Sequence, residues 1–355
     1  MAQEIAFYIE GSSYPKPYSK CTVYVDGTAG NQFRKNIDRE LSHWRPNQTE
    51  EKYKAGTSTQ VCFKFLQSHK LKNYDLVVNN HLDVDGVLSV FVLTHPRISL
   101  KYQDILIQAA EAGDFWGWAD GKSLKIFQDL SLLFKKIRKS SVSMQDAYLQ
   151  CFTLVLDALK SPYIYSKAED ILMHQHDLVE KEEIHREELN SRLVSYHVPK
   201  KTALNQQEKY LRVPKFNEPI SDRLAFWPQV RNRLDQEKIH LVSIETEKGI
   251  HYDLWYPGYC WADTKGLWNP PGLVPPPRMR GTYTFQWDKL SKGIAELSRD
   301  ERNGCYWEIF SRVAFLSKRN TRDFPIVMST LNKQSRTGSR LPLEKVKNTF
   351  KLLLG

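Results

Sequence analysis

The chain has 355 residues, of which 41% are hydrophobic and 26% charged, with a formal net charge of +10. That length holds two domains, or one elaborate domain, with a sizeable core. No apolar run reaches the length of a membrane span, the opening MAQEIAFYIEGSS lacks the basic-then-apolar form of a secretion signal, and five scattered cysteines without a CxxC pair argue against a zinc knuckle or a disulfide framework. A cytoplasmic protein with no membrane partner is expected, and the positive balance favours a phosphate-bearing partner through long-range attraction.

In chain order, Cys21-Thr22-Val23-Tyr24-Val25 is a β-branched and aromatic run closing on Asp26-Gly27, a strand meeting a turn. Residues 31–41 are polar and are expected to be helical, and TQVCFKFLQ at 59–67 has apolar residues at helical spacing. Leu76-Val77-Val78 marks a strand over 75–80; a buried helix over about 86–94 follows, ended by Pro96, and another covers 101–112. This succession predicts an α/β fold, a mostly parallel sheet flanked by helices, with a smaller α+β C-terminal domain.

Residues 123–160 read as helical. Residues 168–193 read as one long solvated helix joining two lobes, with Ile171, Leu172, Leu178 and Ile184 among alternating charges. Pro199, Pro214 and Pro219 punctuate the stretch that follows, residues 239–244 and 250–256 form a strand pair across Glu247-Lys248-Gly249, and 269–277 is irregular by composition. The expected division is a metal-binding catalytic domain over 1–165, a helical connector over 166–215 and a C-terminal substrate or accessory domain over 216–355.

The chemistry concentrates in His81-Leu82-Asp83-Val84-Asp85-Gly86-Val87-Leu88-Ser89. In an extended segment alternate residues share a side, so His81, Asp83 and Asp85 face one point while Leu82 and Val84 pack the other way. An imidazole with two carboxylates suits a divalent cation, and oxygen-rich company favours Mn²⁺ or Mg²⁺. Gly86 allows a close turn, and the carboxyl end of a strand is where α/β sheets place ligands. The plain alternative is a surface turn with solvated carboxylates.

Other positions have paired readings. Asp26, at the end of the first strand, is a candidate bridging ligand or a turn residue; His43 is a candidate ligand or a structural imidazole; Asp114 is a candidate ligand or a helix cap. Thr57-Ser58-Thr59 opens a helix with hydroxyls and amide N–H groups that suit a phosphate or serve as an N-cap. Ser335-Arg336-Thr337-Gly338-Ser339-Arg340 is a candidate phosphate or carboxylate site or an exposed basic loop. His174 and His176, two apart on a helix, lie on different faces and are not expected to share a ligand.

The stretch from His81 to Ser89 resembles the first motif of the DHH phosphoesterase superfamily, in which His and two Asp bind a pair of divalent ions. In circularly permuted order, Tyr24-Val25-Asp26-Gly27-Thr28 resembles the second motif, Ser42-His43-Trp44-Arg45-Pro46-Asn47 the third, and Ala55-Gly56-Thr57-Ser58-Thr59 the Ser/Thr-rich helix start after it. The resemblance spans roughly the first 120 residues, and with its LSHW, HxDxDG and GDF landmarks the chain also looks similar to uncharacterised bacterial proteins. It departs at Ser42 and Trp44, where the superfamily has Asp and a second His, and no glycine-rich motif of the usual accessory domain follows residue 215. Asp83-Val84-Asp85-Gly86-Val87 is also similar to the nucleophile loop of haloacid-dehalogenase phosphatases, with Asp83 as nucleophile and Asp85 as acid/base, but Gly113-Asp114 follows too soon for the intervening motifs.

The DHH resemblance implies a metal-dependent phosphoesterase that hydrolyses a phosphodiester or phosphoanhydride with two divalent ions. Its expected ligands are His81, Asp83, Asp85, Asp26 and Asp114, with His43 as ligand or acid near the leaving group and Asp85 also counted as catalytic. Ser89, Arg336 and Arg340 are candidate substrate-binding residues, and the expected substrate is a phosphate-bearing small molecule or short oligonucleotide. Ser42 and Trp44 support a second expectation, a non-catalytic member that binds a phosphorylated ligand or a protein.

Overall fold

Four short runs, AFYI, TVYV, REL and LVVN, build the sheet that organises the first half of the molecule. In the computed structural model they are β1 (Ala6–Ile9), β2 (Thr22–Val25), β3 (Arg39–Leu41) and β4 (Leu76–Asn79). The described residues are all except 1–4, 28, 45–46, 69, 163–165, 203–216, 256–262, 264–272, 275–283, 286, 302–305, 310–326, 331–337 and 355. The chain divides into two units, the first comprising Met1–Glu169, Asn217–Pro219 and Ala262–Leu267, the second the remainder.

The first unit is the expected α/β layer. Its sheet has the order β1-β4-β2-β3, and every pairing is parallel, so all four carboxyl ends open on the same edge. Helices α1 (Ser58–Gln67), α2 (Val84–Thr94), α3 (Pro96–Lys101), α4 (Gln103–Asp114), α5 (Gly121–Ile137) and α6 (Met144–Lys160) accompany it. Residues 84–93 of α2 are all buried, as a helix apolar on every side requires. Helix α2 ends at Thr94, as expected ahead of Pro96, and Pro96 also opens α3 at the first helical turn, where its missing N–H costs no bond.

Two expectations are corrected here. Residues 31–41 are not a helix; a 3-10 turn at Gly30–Gln32 leads to β3, whose three residues are too few to show strand periodicity. The intervening loop is tied by Asp38, which accepts from the backbone N–H groups of Thr22 at 3.0 Å and Arg34 at 2.9 Å.

The second correction concerns 168–193. Helix α7 (Lys167–Glu180) stops well short of that range, and β5 (His185–Asn190) and β6 (Leu193–Val198) follow as an antiparallel pair. Part of the charge that suggested a continuous solvated helix, Arg186, Glu187 and Glu188, lies on β5, an edge strand, where charge protects against pairing with another chain. Within the expected connector, residues 167–180 are helical as anticipated, 185–190 and 193–198 are strands of the second unit's sheet, and 203–215 lie outside the described residues.

That sheet has the order β11-β12-β8-β7-β6-β5, with β7 (Ile239–Thr246) and β8 (Gly249–Trp255) forming the anticipated strand pair. Helix α8 (Pro228–Asp235) lies in the connection between β6 and β7, which pair in parallel. A two-stranded sheet of β9 (Leu273–Val274) and β10 (Thr284–Phe285), helix α9 (Trp287–Asp300), strands β11 (Tyr306–Ile309) and β12 (Val327–Thr330), and helix α10 (Leu343–Leu354) complete the described part. Of the residues at 269–277, only 273 and 274 fall within it. Among the described residues no helix is long and apolar enough to cross a membrane.

Candidate metal centre

Parallel topology brings together residues that are distant in sequence. Asp26 follows β2, His43 lies two residues beyond β3, and His81 and Asp83 lie in the turn after β4, all at the carboxyl edge of the sheet. Asp85 enters from the first turn of α2 and Asp114 is the last residue of α4. Two groups of ligand atoms result, Asp26 with His43, Asp85 and Asp114, and Asp26 with His81 and Asp83, with the atoms of each group within 4.8 Å of one another. This Asp and His cluster is able to hold a metal ion.

The convergence of Asp83 and Asp85 has a different local cause from strand alternation. Helix α2 begins at Val84, and Asp83 is its N-cap, accepting from Gly86 N at 2.8 Å. Asp85 is helical, and its two oxygens accept from Ser58 N at 2.7 Å and Thr59 N at 2.8 Å. A buried carboxylate thus sits on the N-terminus of α1, where the helix dipole favours negative charge. The amides of Ser58 and Thr59 are committed to Asp85, and Thr57 acts as the N-cap by accepting from Gln60 N. The phosphate-cradle reading of Thr57-Ser58-Thr59 is replaced by one in which the helix start orients a ligand.

His43 shows why a cation fits. Its Nδ1 lies 2.6 Å from the carbonyl oxygen of Gly56, which only accepts, so Nδ1 carries the proton. Nε2 faces Asp114 Oδ2 at 3.1 Å, Asp85 Oδ2 at 3.4 Å and Asp26 Oδ1 at 3.5 Å, and when the ring is neutral Nε2 is a lone pair. All four side chains are fully buried. A proton on Nε2 serves one of these oxygens at a time; a divalent cation serves them all.

His81 repeats the arrangement at the surface. Its Nδ1 meets Asn80 Oδ1 at 2.7 Å, and Nε2 lies 3.0 Å from Asp26 Oδ2 and 3.1 Å from Asp83 Oδ2. The side chain of His81 is 32% exposed, whereas that of His43 is 0% exposed.

The electrostatics follow the charges. Burial alone would raise Asp26, but the charge of His81 and contacts with both imidazoles hold it well below the ordinary carboxylate range. Burial together with the charges of Asp26 and Asp114 pushes Asp85 well above it. Burial would lower both imidazoles, and their carboxylate neighbours outweigh it, raising His43 and His81.

Space is equally specific. A Cβ added at Gly86 would lie 2.4 Å from Asn79 Nδ2 and 3.0 Å from both Asp26 Oδ2 and Asp83 Oδ1, so Gly86 keeps the floor of the His81 group open. Asp26 itself has φ 44°, a left-handed conformation that Asp tolerates better than most residues.

Several contributors are not evident from single positions. Ser58 Oγ and Trp44 Nε1 each donate to Asp26 Oδ1 at 2.8 Å, and Ser42 Oγ accepts from Gly27 N and Trp44 N, both at 3.1 Å. Trp44 therefore supplies a donor to a ligand, not a ligand. Asn79 Nδ2 donates to Tyr148, whose hydroxyl donates to the His81 carbonyl at 2.6 Å. The Asn79-Asn80 doublet before His81 was the one signal available in the sequence.

Among the remaining candidates, Ser89 does not join this centre. Ser89 is fully buried one helical turn beyond Asp85, its hydroxyl 3.5 Å from Thr59 Oγ1, and serves the α1–α2 contact. Arg340 belongs to the second unit, where its backbone N–H donates to Glu301, and Arg336 lies outside the described residues.

No curated protein and no solved structure matches this chain. The family model described as "Family of unknown function (DUF6687)" matches residues 12–266, and the chain belongs to that family.

Proposed function

We propose that this protein is a metal-dependent phosphohydrolase with a binuclear Mn²⁺ or Mg²⁺ centre, acting on a phosphodiester or phosphoanhydride. The observation that carries the reading is the division of Asp26: its Oδ1 faces the His43 group and its Oδ2 the His81 group. A carboxylate shared in this way is the bridge a two-metal site requires. Two ions bound there would lower the pKa of a water and clamp the attacking and leaving oxygens of an in-line displacement.

Within that scheme His43, Asp85 and Asp114 hold the buried position and His81 and Asp83 the exposed one, so substrate approaches from the His81 side. His43 would serve as a ligand through Nε2, the nitrogen that faces Asp26, Asp85 and Asp114. Asp85, with both oxygens on backbone amides, is suited to a fixed ligand role and less to the proton shuttling of a haloacid-dehalogenase mechanism. The net charge of +10 supports a phosphate-bearing small molecule or short oligonucleotide as substrate. Free Cys21, Cys62 and Cys151 fit the reducing cytoplasm.

The test is turnover of bis(p-nitrophenyl) phosphate, short oligonucleotides and pyrophosphate by purified protein with Mn²⁺ or Mg²⁺. Metal-stimulated hydrolysis lost in both Asp83→Ala and Asp85→Ala is expected; a metal-loaded protein inert towards all three classes would overturn it. The Trp44–Asp26 hydrogen bond favours a second reading, a metal-holding member that binds a phosphorylated ligand without hydrolysing it. Stoichiometric metal with phosphate binding but no turnover is its signature.

A further inference from the structure

The second unit buries a cation that the side chains of its described residues leave largely unanswered. Arg231, on α8, is 2% exposed, and its Nε and Nη1 have no hydrogen-bond partner among the described residues. The guanidinium carbon lies 4.8 Å from the centre of the Trp255 ring and 5.8 Å from that of Phe226. Aromatic faces offset part of a buried positive charge, but they offer no lone pairs to in-plane N–H groups.

The nearby carboxylates do not fill the gap. Asp235, at the end of the same helix, is taken by Arg186 through bonds of 2.6 and 2.8 Å, by Lys238 at 3.1 Å and by the Tyr196 hydroxyl. Burial pushes Asp253 on β8 up to about 7, against the pull of Arg231, so near neutrality it carries only part of a charge. Burial, and then the charge of Arg231, pushes His240 down to about 3, which leaves it neutral. Burial lowers Arg231 itself to about 10, still a cation at neutral pH. The result is a buried guanidinium with unused donors, a combination that proteins retain at a cost unless something anionic completes it.

We propose that Arg231 is the anchor of an oxyanion-binding site in the second unit, with its buried N–H donors receiving a phosphate or carboxylate group beside Phe226 and Trp255. Charge-assisted bonds from a desolvated guanidinium are strong and directional. This site is built from residues separate from those of the metal centre and does not depend on whether that centre is catalytic.

The test uses the full chain in EDTA, so that metal-bound phosphate does not contribute. Inorganic phosphate and acetate are titrated calorimetrically against a chloride control at equal ionic strength; the stronger of the two identifies the group the site takes. Saturable binding is expected in wild type and in the Asp83→Ala, Asp85→Ala double variant. It should weaken roughly tenfold in Arg231→Lys, which keeps the charge but not the planar donors, and disappear in Arg231→Met. If Arg231→Met does not fold, the wild-type protein still decides: phosphate or acetate should change tryptophan fluorescence in wild type, and Trp255→Phe should remove that change. The proposal is overturned if neither anion binds wild type beyond chloride, if Arg231→Lys binds as well as wild type, or if binding is lost with the metal-centre residues instead.

Discussion

Trp44 donates its indole N–H to Asp26 Oδ1 at 2.8 Å, on the same oxygen that accepts from Ser58 Oγ at the same distance. That oxygen has two lone pairs, so a cation in the His43 group must displace one donor. The Ser58 hydroxyl rotates freely about its Cβ–Oγ bond, whereas the indole is fixed in a ring 5.7 Å from His81 and 6.4 Å from His43. Trp44 therefore holds the bridge in orientation while Ser58 yields. Trp44→Phe should weaken Mn²⁺ binding by about 10- to 100-fold, the usual cost of losing a residue that orients a ligand, and Ser58→Ala should leave it unchanged or tighter. Competition titration with a metal indicator checks this, and the reverse order of the two variants would show that Trp44 is the obstacle instead.

Because Asp26 belongs to both groups and each imidazole to one, metal stoichiometry separates them. Asp26→Asn should lose both equivalents and His81→Ala only the one nearer the surface. Exposure adds a kinetic difference, since His81 is reachable from solvent and His43 is not. Chelation should release one equivalent quickly and the other slowly. His43→Ala should also destabilise the metal-free protein, by about 3 kcal/mol or more, because Asp26, Asp85 and Asp114 would lose the imidazole they share in a fully buried site. Elemental analysis after timed chelation, with thermal unfolding of each variant, gives the answer; single-phase release of both equivalents would contradict the division.

The parts of this site visible in the sequence were those carried by short, chemically dense segments. His81, Asp83 and Asp85 stand out because they crowd one turn, although they converge through a helix N-cap and first turn and not through strand alternation. Asp26 was legible as a residue at a strand end, whereas His43 followed a segment read as helical and stood out only as a candidate ligand. Residues whose meaning lies in long-range contact were not: Ser58 and Trp44 act on a carboxylate 32 and 18 residues away. Likewise β3 is too short to show a period, and β5 has the charge of an edge strand, which in sequence is indistinguishable from that of a solvated helix. Arg231 looks like any basic helix residue until burial and the Trp255 ring are seen.

Gly86 sets two effects against each other. In a helix, Ala is favoured over Gly by about 1 kcal/mol. Here the new Cβ would meet Asn79 Nδ2 at 2.4 Å and would press on Asp26 and Asp83. Asn79 is held by Tyr148, which in turn holds the His81 carbonyl, so the clash does not relax by moving one flexible end. Crowding of this kind costs about 1–3 kcal/mol and outweighs the propensity gain. Gly86→Ala should therefore lower the melting temperature and release the metal of the His81 group. Thermal unfolding with metal analysis would decide, and a more stable variant with full metal content would refute the crowding.

His240 gives a pH signature in the second unit. Its Nε2 donates to the Asp235 carbonyl at 2.8 Å, and burial, followed by the charge of Arg231, pushes it down to about 3 from 6.5. The folded protein keeps the ring neutral while the unfolded chain takes up a proton below 6.5. Stability from this residue is thus complete above 6.5 and is lost as pH falls towards 3, at up to about 1.4 kcal/mol per pH unit. His240→Gln keeps an N–H for the Asp235 carbonyl and removes the titration. Between pH 7 and pH 5 wild type should lose about 2 kcal/mol more than the variant, a difference from which titrations common to both proteins cancel. Urea unfolding at the two pH values measures it, and parallel pH profiles would mean that His240 is protonated in the folded state.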